Sequence, residues 1–416
     1  MSDHQKTPIL ISAYGCEPGR GSEAAVGWNW ALQMAKRYQV TVVTRRSRRL
    51  AIDRFLEETP LANLCFEYVD YPDWILRFKK GSLAMNVYYL AWQFLAYFKA
   101  RDLVEKRGIK LAHHVSFMSL TRGSFVPFLS VPSILGPIGG LQTVPRSATR
   151  IIKNPLTEKI RNFGVRFFRW NPIGNLTTSK ADLIVLANGA NVDCLPTKAR
   201  DKSIVGLQIG TGLAPARPAP SVDGNIVFRW VGRLVDHKGL EILLDVLESI
   251  RESRPDIFER IKVVISGDGP LKGYYRDLIK RKNLDEPIEF AEWLSDEEMD
   301  ELWSRCHAFL FTSLRETTGL ALMEAMVRGV PPIVIDNGGP SEIVTADCGL
   351  KISGADYEEL KKNYQNAIIR SVEDPGLLVS LGEAARARVI QRYSWDAVGD
   401  QMDSLYEKLL NSPNTA

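Results

Sequence analysis

Short apolar runs alternate with amphipathic stretches along almost the whole chain. Ile9–Tyr14 is a continuous apolar run, as expected of a strand buried on both faces. A loop, Gly15–Ser22, follows it, and Glu23–Arg37 has helical spacing. Val40–Thr44, Leu111–Val115, Ser133–Leu135 and Leu183–Leu186 are further predicted strands. Pro and Ala then crowd Leu213–Pro220, which reads as a linker. A second alternation begins beyond it. Its predicted strands are Asn225–Val231, Lys262–Ser266, Ile288–Phe290, Ala308–Thr312 and Pro332–Ile335. Its predicted helices are Gly239–Glu252, Leu271–Asn283 and Ser295–Arg305, the last capped by Ser295, and a final helix spans Trp395–Leu410.

Strand–helix alternation of this kind predicts parallel sheets covered by helices. The expected architecture is α/β, two Rossmann-like doubly wound domains facing across a cleft. The expected limits are 1–212, a linker at 213–224, a second domain at 225–394, and a helix at 395–416 packing back toward the first domain. Ligands of such sheets bind outside the carboxyl ends of the strands.

Composition narrows the class. At 416 residues the chain exceeds one ordinary core, and 45% apolar with 25% charged residues fits a soluble globular protein. The apolar run Tyr88–Phe98 is broken by Gln93 and falls short of the ~20 residues that span a bilayer. Met1–Pro8 lacks the basic-then-apolar order of a secretory signal. Cys16, Cys65, Cys194, Cys306 and Cys348 are scattered, which argues against a disulfide framework or zinc cluster and for a reducing cytoplasm.

Charge is uneven. Residues 1–215 hold 29 Lys and Arg against 15 Asp and Glu. Two segments carry much of this excess, interleaved with aromatics. Residues 74–101 include Trp74, Phe78, Lys79, Lys80, Tyr88, Tyr89, Trp92, Phe94, Tyr97, Phe98, Lys99 and Arg101. Residues 146–170 include Arg146, Arg150, Lys153, Lys159, Arg161, Phe163, Arg166, Phe167, Phe168, Arg169 and Trp170, with Glu158 as the single acid. Such segments suit peripheral attachment to anionic lipid headgroups on the inner face of the plasma membrane. Packing of the aromatics in the first core, with solvated cations, is the plainer alternative. No reader motif accompanies the charge, so nucleic acid is not an expected partner.

Chemistry concentrates in the second half. Arg233 and Lys238 follow the strand ending at Trp230-Val231-Gly232, where they can meet a diphosphate. Glu316 and Glu324 stand eight positions apart around Thr317-Thr318-Gly319-Leu320. Gly319 opens an apolar helix whose N–H groups favour an anion. Glu324, flanked by Met323, Ala325 and Met326, is expected to need a specific donor, because burying an unpaired charge is costly. A ribose diol would suit it, and Glu316 would meet sugar hydroxyls. No metal is required if protein cations stabilise the leaving diphosphate, so no cofactor is expected.

These motifs resemble the C-terminal domain of retaining GT-B glycosyltransferases of family GT4. The resemblance rests on Gly232-Arg233-Leu234 with Lys238-Gly239, Gly267-Asp268-Gly269-Pro270, Glu316 to Glu324-Ala325-Met326, Gly329-Val330-Pro331 and Gly338-Gly339-Pro340-Ser341-Glu342, over roughly 225–345. It implies that Arg233 and Lys238 bind diphosphate, Glu316 the transferred sugar and Glu324 the ribose. Gly232, Gly267, Thr317, Thr318, Gly319 and Leu320 then belong to the donor site. Thr317-Thr318 departs from the family, where a bulkier aromatic-glycine pair is common.

On the acceptor side, Glu17-Pro18-Gly19-Arg20-Gly21-Ser22-Glu23 follows the first strand, and the family likeness has this loop close over the donor through Gly19 and Gly21, with Glu17 and Arg20 toward the acceptor. The longer string from Cys16 to Ala31 resembles a polysaccharide-assembly subset. The family also places a histidine near His113-His114. Alternation sends the two to opposite faces; His114 is the expected catalytic contact and His113 an acceptor-side candidate, against a structural role for either. Gly139 and Gly140 lie in another edge loop. The implied activity is transfer of a hexose from a nucleotide-diphosphate sugar to a glycan, lipid-linked, for surface polysaccharide. The alternatives are a GT-B sugar-nucleotide epimerase, a non-catalytic sensor, or transfer to a small soluble acceptor.

Overall fold

A computed structural model describes residues 6–76, 81–117, 122–140, 142–166, 171–206, 209–215, 220–221, 224–291 and 296–412. The chain divides into two compact units. The first comprises 1–141, 164–210 and 395–416, and the second 142–163 and 211–394.

The first unit holds β1 (Pro8–Ala13), β2 (Gln39–Arg45), β3 (Leu64–Val69), β4 (Leu111–Ser116), β5 (Ser133–Ile138), β6 (Leu183–Leu186) and β7 (Ser203–Val205). They form one parallel sheet in the order β3-β2-β1-β4-β5-β6-β7. The apolar run of β1 is explained by its position: Ile9 and Ile11 enter the core on one face, Leu10 that on the other. The helix Trp395–Leu410 covers the Ile9 face, where Val398, Met402 and Tyr406 join Trp30 and Met34 of the helix Ser22–Ala35. Arg37 pairs with Asp403 at 3.2 Å beside them.

The second unit holds β8 (Ile226–Val231), β9 (Ile261–Ser266), β10 (Ile288–Ala291), β11 (Ala308–Phe311), β12 (Pro332–Ile335) and β13 (Leu350–Ile352). Their order is β10-β9-β8-β11-β12-β13, again wholly parallel. Its two faces carry separate cores, one around Phe228, Leu243 and Ile265, the other around Phe309, Met323 and Met326.

One segment differs from the expected domain limits. Residues 142–163 were placed in the first domain, but they pack in the second unit. Val144, Ala148, Ile151 and Ile152 enter the core of Phe228 and Leu243. Arg150 pairs with Glu358 at 2.9 Å and its guanidinium lies 3.4 Å from the centre of the Tyr357 ring. The partners are some 200 residues away in sequence, so no local pattern announces them. None of the five cysteines is in a disulfide.

Candidate active site

In each sheet the strand order reverses at one place, between β1 and β4 in the first unit and between β8 and β11 in the second. The crevice outside the carboxyl ends of strands at such a point is where open α/β sheets bind ligands.

In the second unit the loops after β8 and β11 are stitched together there. Trp230 Nε1 donates to Thr312 Oγ1 at 2.9 Å, and that hydroxyl donates to the Lys238 carbonyl at 2.9 Å. The Leu314 N–H donates to the His237 carbonyl at 2.9 Å. Gly239 makes this approach possible. Its φ is +70°, and a Cβ would lie 2.2 Å from the Thr312 carbonyl oxygen. Gly267, after β9, is required for the same kind of reason: a Cβ would lie 1.9 Å from the Gly232 carbonyl oxygen.

This stitching brings Lys238 to Glu316. Their side chains form a direct ion pair, and each is about one-fifth exposed, at 22% and 20%. Ser313 Oγ donates to the same Glu316 oxygen at 3.3 Å, and the Phe311 ring centre lies 6.0 Å from Lys238 Nζ. The Glu316 carbonyl accepts from the Gly339 N–H at 3.1 Å, tying in the first turn of the helix Gly338–Ile343 that follows β12. Arg233 is exposed and has no carboxylate partner among the described residues. Gly232 and Leu320 are half-buried, and Gly319, φ +93°, caps the helix Leu320–Val327. Thr317 is half-buried; Thr318 is buried, and its hydroxyl has no hydrogen-bond partner among the described residues.

Glu324 requires a correction. Met323, Ala325 and Met326 are buried as expected, but Glu324 itself is exposed. It lies on the outer face of the helix, so burial does not demand a donor for it.

Gln142 was missed. It opens the segment that joins the second unit, is 3% exposed, and its Oε1 accepts a long bond of 3.4 Å from Thr317 Oγ1. The signal for it is purely tertiary.

At the switch point of the first unit, Gly15 N–H donates to Ser116 Oγ at 2.9 Å. Gly19 (φ +68°) and Gly21 are exposed, with open space where a Cβ would stand. Glu17 is held by Arg48 and, at 3.3 Å, by Arg20. Glu23 accepts from the Phe117 N–H at 2.7 Å, and Phe117 has φ +61°, a left-handed conformation that is costly for an aromatic residue. Gly139 is half-buried and Gly140 exposed.

The histidine expectation is also corrected. His113 and His114 are both wholly buried. His113 bonds Tyr406 OH at 2.7 Å and the Gly136 carbonyl at 2.9 Å. His114 bonds Ser12 Oγ at 2.9 Å and Tyr89 OH at 3.0 Å. Burial pushes both down to about 3, so both are neutral. With every ring nitrogen engaged inside the core, each serves the fold.

The basic segments are partly engaged within the protein. In 146–163, Arg150 and Lys153 pair with Glu358 and Glu241, and Arg161 donates to the Gln142 carbonyl at 2.7 Å. Phe78, Lys79, Lys80, Phe167, Phe168, Arg169 and Trp170 lie outside the described residues. The apolar residues Leu156, Ile160 and Phe163 are exposed at helical spacing. So are Val87, Phe94 and Phe98 on the helix Gly81–Arg107. No described helix is long and apolar enough to cross a membrane, and no described cluster of His, Cys, Asp or Glu could hold a metal.

Residues 216–388 match the family described as glycosyl transferases group 1. Among similar proteins, a glycogen synthase of Marinomonas sp. is 30% identical over 249 residues, 60% of this chain and 48% of that protein. A GDP-mannose-dependent monoacylated alpha-(1-6)-phosphatidylinositol monomannoside mannosyltransferase of Corynebacterium glutamicum is 26% identical over 182 residues, 42% of this chain and 45% of that protein. The aligned region thus spans about half the length of these curated relatives. Anabaena Alr3699/HepE, solved in complex with UDP, superposes with a TM-score of 0.61 at 17% identity, covering 97% of this chain and 100% of that one. The fold of the chain is therefore GT-B.

Proposed function

We propose that the protein is a retaining glycosyltransferase that moves a hexose from a nucleotide-diphosphate sugar to a glycan. The meeting of Lys238 and Glu316 at the β8–β11 switch point carries this reading. A cation and a carboxylate, both partly desolvated, face the crevice where a ligand of this sheet would sit. The entering diphosphate takes Lys238 from Glu316, and the freed carboxylate then accepts from hydroxyls of the sugar. Arg233 adds a second cation, and Glu324 accepts from the ribose.

Both cations act on charge that grows as the sugar leaves, so they favour the transition state over the bound donor. The acceptor hydroxyl attacks the face from which the diphosphate departs, and a phosphate oxygen takes its proton. No protein nucleophile is needed, and Glu316 is not one. Neither is a metal, since the cations serve in its place.

The acceptor in this reading is a lipid-linked glycan of surface polysaccharide, reached by a peripheral attachment to the inner face of the plasma membrane. Two exposed apolar stripes, Val87-Phe94-Phe98 and Leu156-Ile160-Phe163, support it better than the cations of 146–163, which are largely paired. The mannosyltransferase relative named for a phosphatidylinositol mannoside is consistent with such an acceptor.

The test is the product formed from donor alone and from donor with acceptor. Release of free hexose and nucleoside diphosphate, with the first-formed anomer matching the donor by NMR, is expected. An epimerised nucleotide sugar, or the inverted anomer, contradicts the proposal.

A further inference from the structure

The segment 142–163 does more than fill the core of the second unit. It is fastened to the loop that carries Glu316. Arg315 pairs with Glu158 at 2.7 Å, and Glu158 lies 3.6 Å from Arg161. Arg161 in turn donates to the Gln142 carbonyl at 2.7 Å. Asn337 Nδ2 donates to the Leu314 carbonyl at 2.7 Å and to the Thr143 carbonyl at 3.3 Å. A chain of contacts therefore runs from the two residues before Glu316 to residues 142 and 143.

Gln142 stands at its centre. Its Oε1 meets Thr317 Oγ1, and its Cγ lies 3.4 Å from where a Cβ on Gly338 would be. Thr317 follows Glu316 directly, and Gly339 binds the Glu316 carbonyl. Gln142 is thus wedged between the loop after β11 and the start of the helix Gly338–Ile343, beside the carboxylate assigned to the sugar. Basic residues 233 and 238, assigned to the diphosphate, come from the loop after β8 instead.

We infer that Gln142 is a positioning residue for the sugar end of this site, setting where Thr317 and Glu316 stand and hence which hexose is accepted. The inference rests on the donor-site reading above. A buried amide on a backbone whose carbonyl is fixed by Arg161 is a stiff support for the Thr317 side chain. The segment 142–163 becomes a built part of the donor site, although sequence order attaches it to the first domain.

The experiment uses the full chain with Gln142→Met, Thr317→Val, Thr317→Ser and the Gln142→Met/Thr317→Val double variant. Binding of UDP, GDP, ADP and dTDP is measured by calorimetry. Hydrolysis is followed with the matching glucose, galactose and mannose donors. The expected result is unchanged nucleoside diphosphate affinity and a KM for the sugar donor raised at least about fivefold, with altered preference between epimeric sugars. Thr317→Ser should keep the native preference, and the double variant should be no worse than the worse single one.

Equal loss of nucleoside diphosphate and donor binding would show a merely structural role and overturn the inference. So would unchanged sugar preference in both single variants, or fully additive losses. If Gln142→Met does not fold, Gln142→Asn takes its place in the same measurements, and the same outcomes decide the matter. A wild-type protein that binds none of the four diphosphates overturns the donor-site reading itself, and this inference with it.

Discussion

Lys238, after β8, and Glu316, after β11, form an ion pair at the place where the strand order of the second unit reverses. The pair is partly exposed, so its net contribution to stability is small, about 1 kcal/mol or less. Lys238→Ala is therefore expected to leave the unfolding midpoint nearly unchanged. Turnover should fall ~10²-fold or more, the scale of losing a group that stabilises developing charge. Parallel thermal unfolding and hydrolysis assays check this; intact turnover contradicts the phosphate role.

Glu324 is exposed, so Glu324→Gln should not alter stability beyond about 0.5 kcal/mol. It should weaken nucleoside diphosphate binding about tenfold, the cost of one charge-assisted hydrogen bond. Calorimetry on the folded variant separates the two effects.

Gly239→Ala and Gly267→Ala should act in the opposite way. A Cβ at either position meets a backbone carbonyl oxygen, of Thr312 or Gly232, which cannot swing aside as a side chain would. Each change is expected to destabilise the second unit by several kcal/mol, roughly 2–4, and to lower soluble yield. Chemical denaturation measures it.

Burial holds His113 and His114 at about 3, well below the usual histidine value. Between about 3 and 6.5 the unfolded chain therefore binds protons that the folded one does not. Stability is full above about 6.5 and falls as pH drops below it, by up to ~1.4 kcal/mol per pH unit per histidine. His114→Gln should flatten the slope of denaturation midpoint against pH between 6.5 and 5. A slope equal to that of the wild type would contradict neutral burial.

The elements themselves were legible where local pattern and final burial agree. Leu183–Leu186 and Pro332–Ile335 are apolar runs that became β6 and β12 with the predicted limits, and Trp395–Leu410 kept its helical limits. Leu64–Val69 escaped notice because, as β3, most of its residues are only half-buried and Glu67 interrupts the run. The exposure of Glu324 was available from helical spacing, since Leu320, Glu324 and Arg328 share one face. The burial of His113 and His114 was not, because Tyr406 and Tyr89 reach them from distant segments. The same holds for residues 142–163. Their cations looked free in sequence because Glu241 and Glu358 lie far along the chain.

Membrane attachment has its own check. Wild-type protein should sediment with anionic phosphatidylglycerol vesicles at low salt, and Phe94→Glu with Phe98→Glu should reduce that binding about tenfold or more. Absence of binding by the wild type removes the physical basis for a lipid-linked acceptor.

The most direct measurement is a thermal-shift and hydrolysis screen with UDP-, GDP-, ADP- and dTDP-sugars, comparing the wild type with Lys238→Ala. The account predicts that one donor raises the unfolding midpoint and slowly releases its nucleoside diphosphate, and that Lys238→Ala loses that release while remaining folded. Silence from every donor, or release that survives the loss of Lys238, would contradict a sugar-nucleotide site at the β8–β11 switch point.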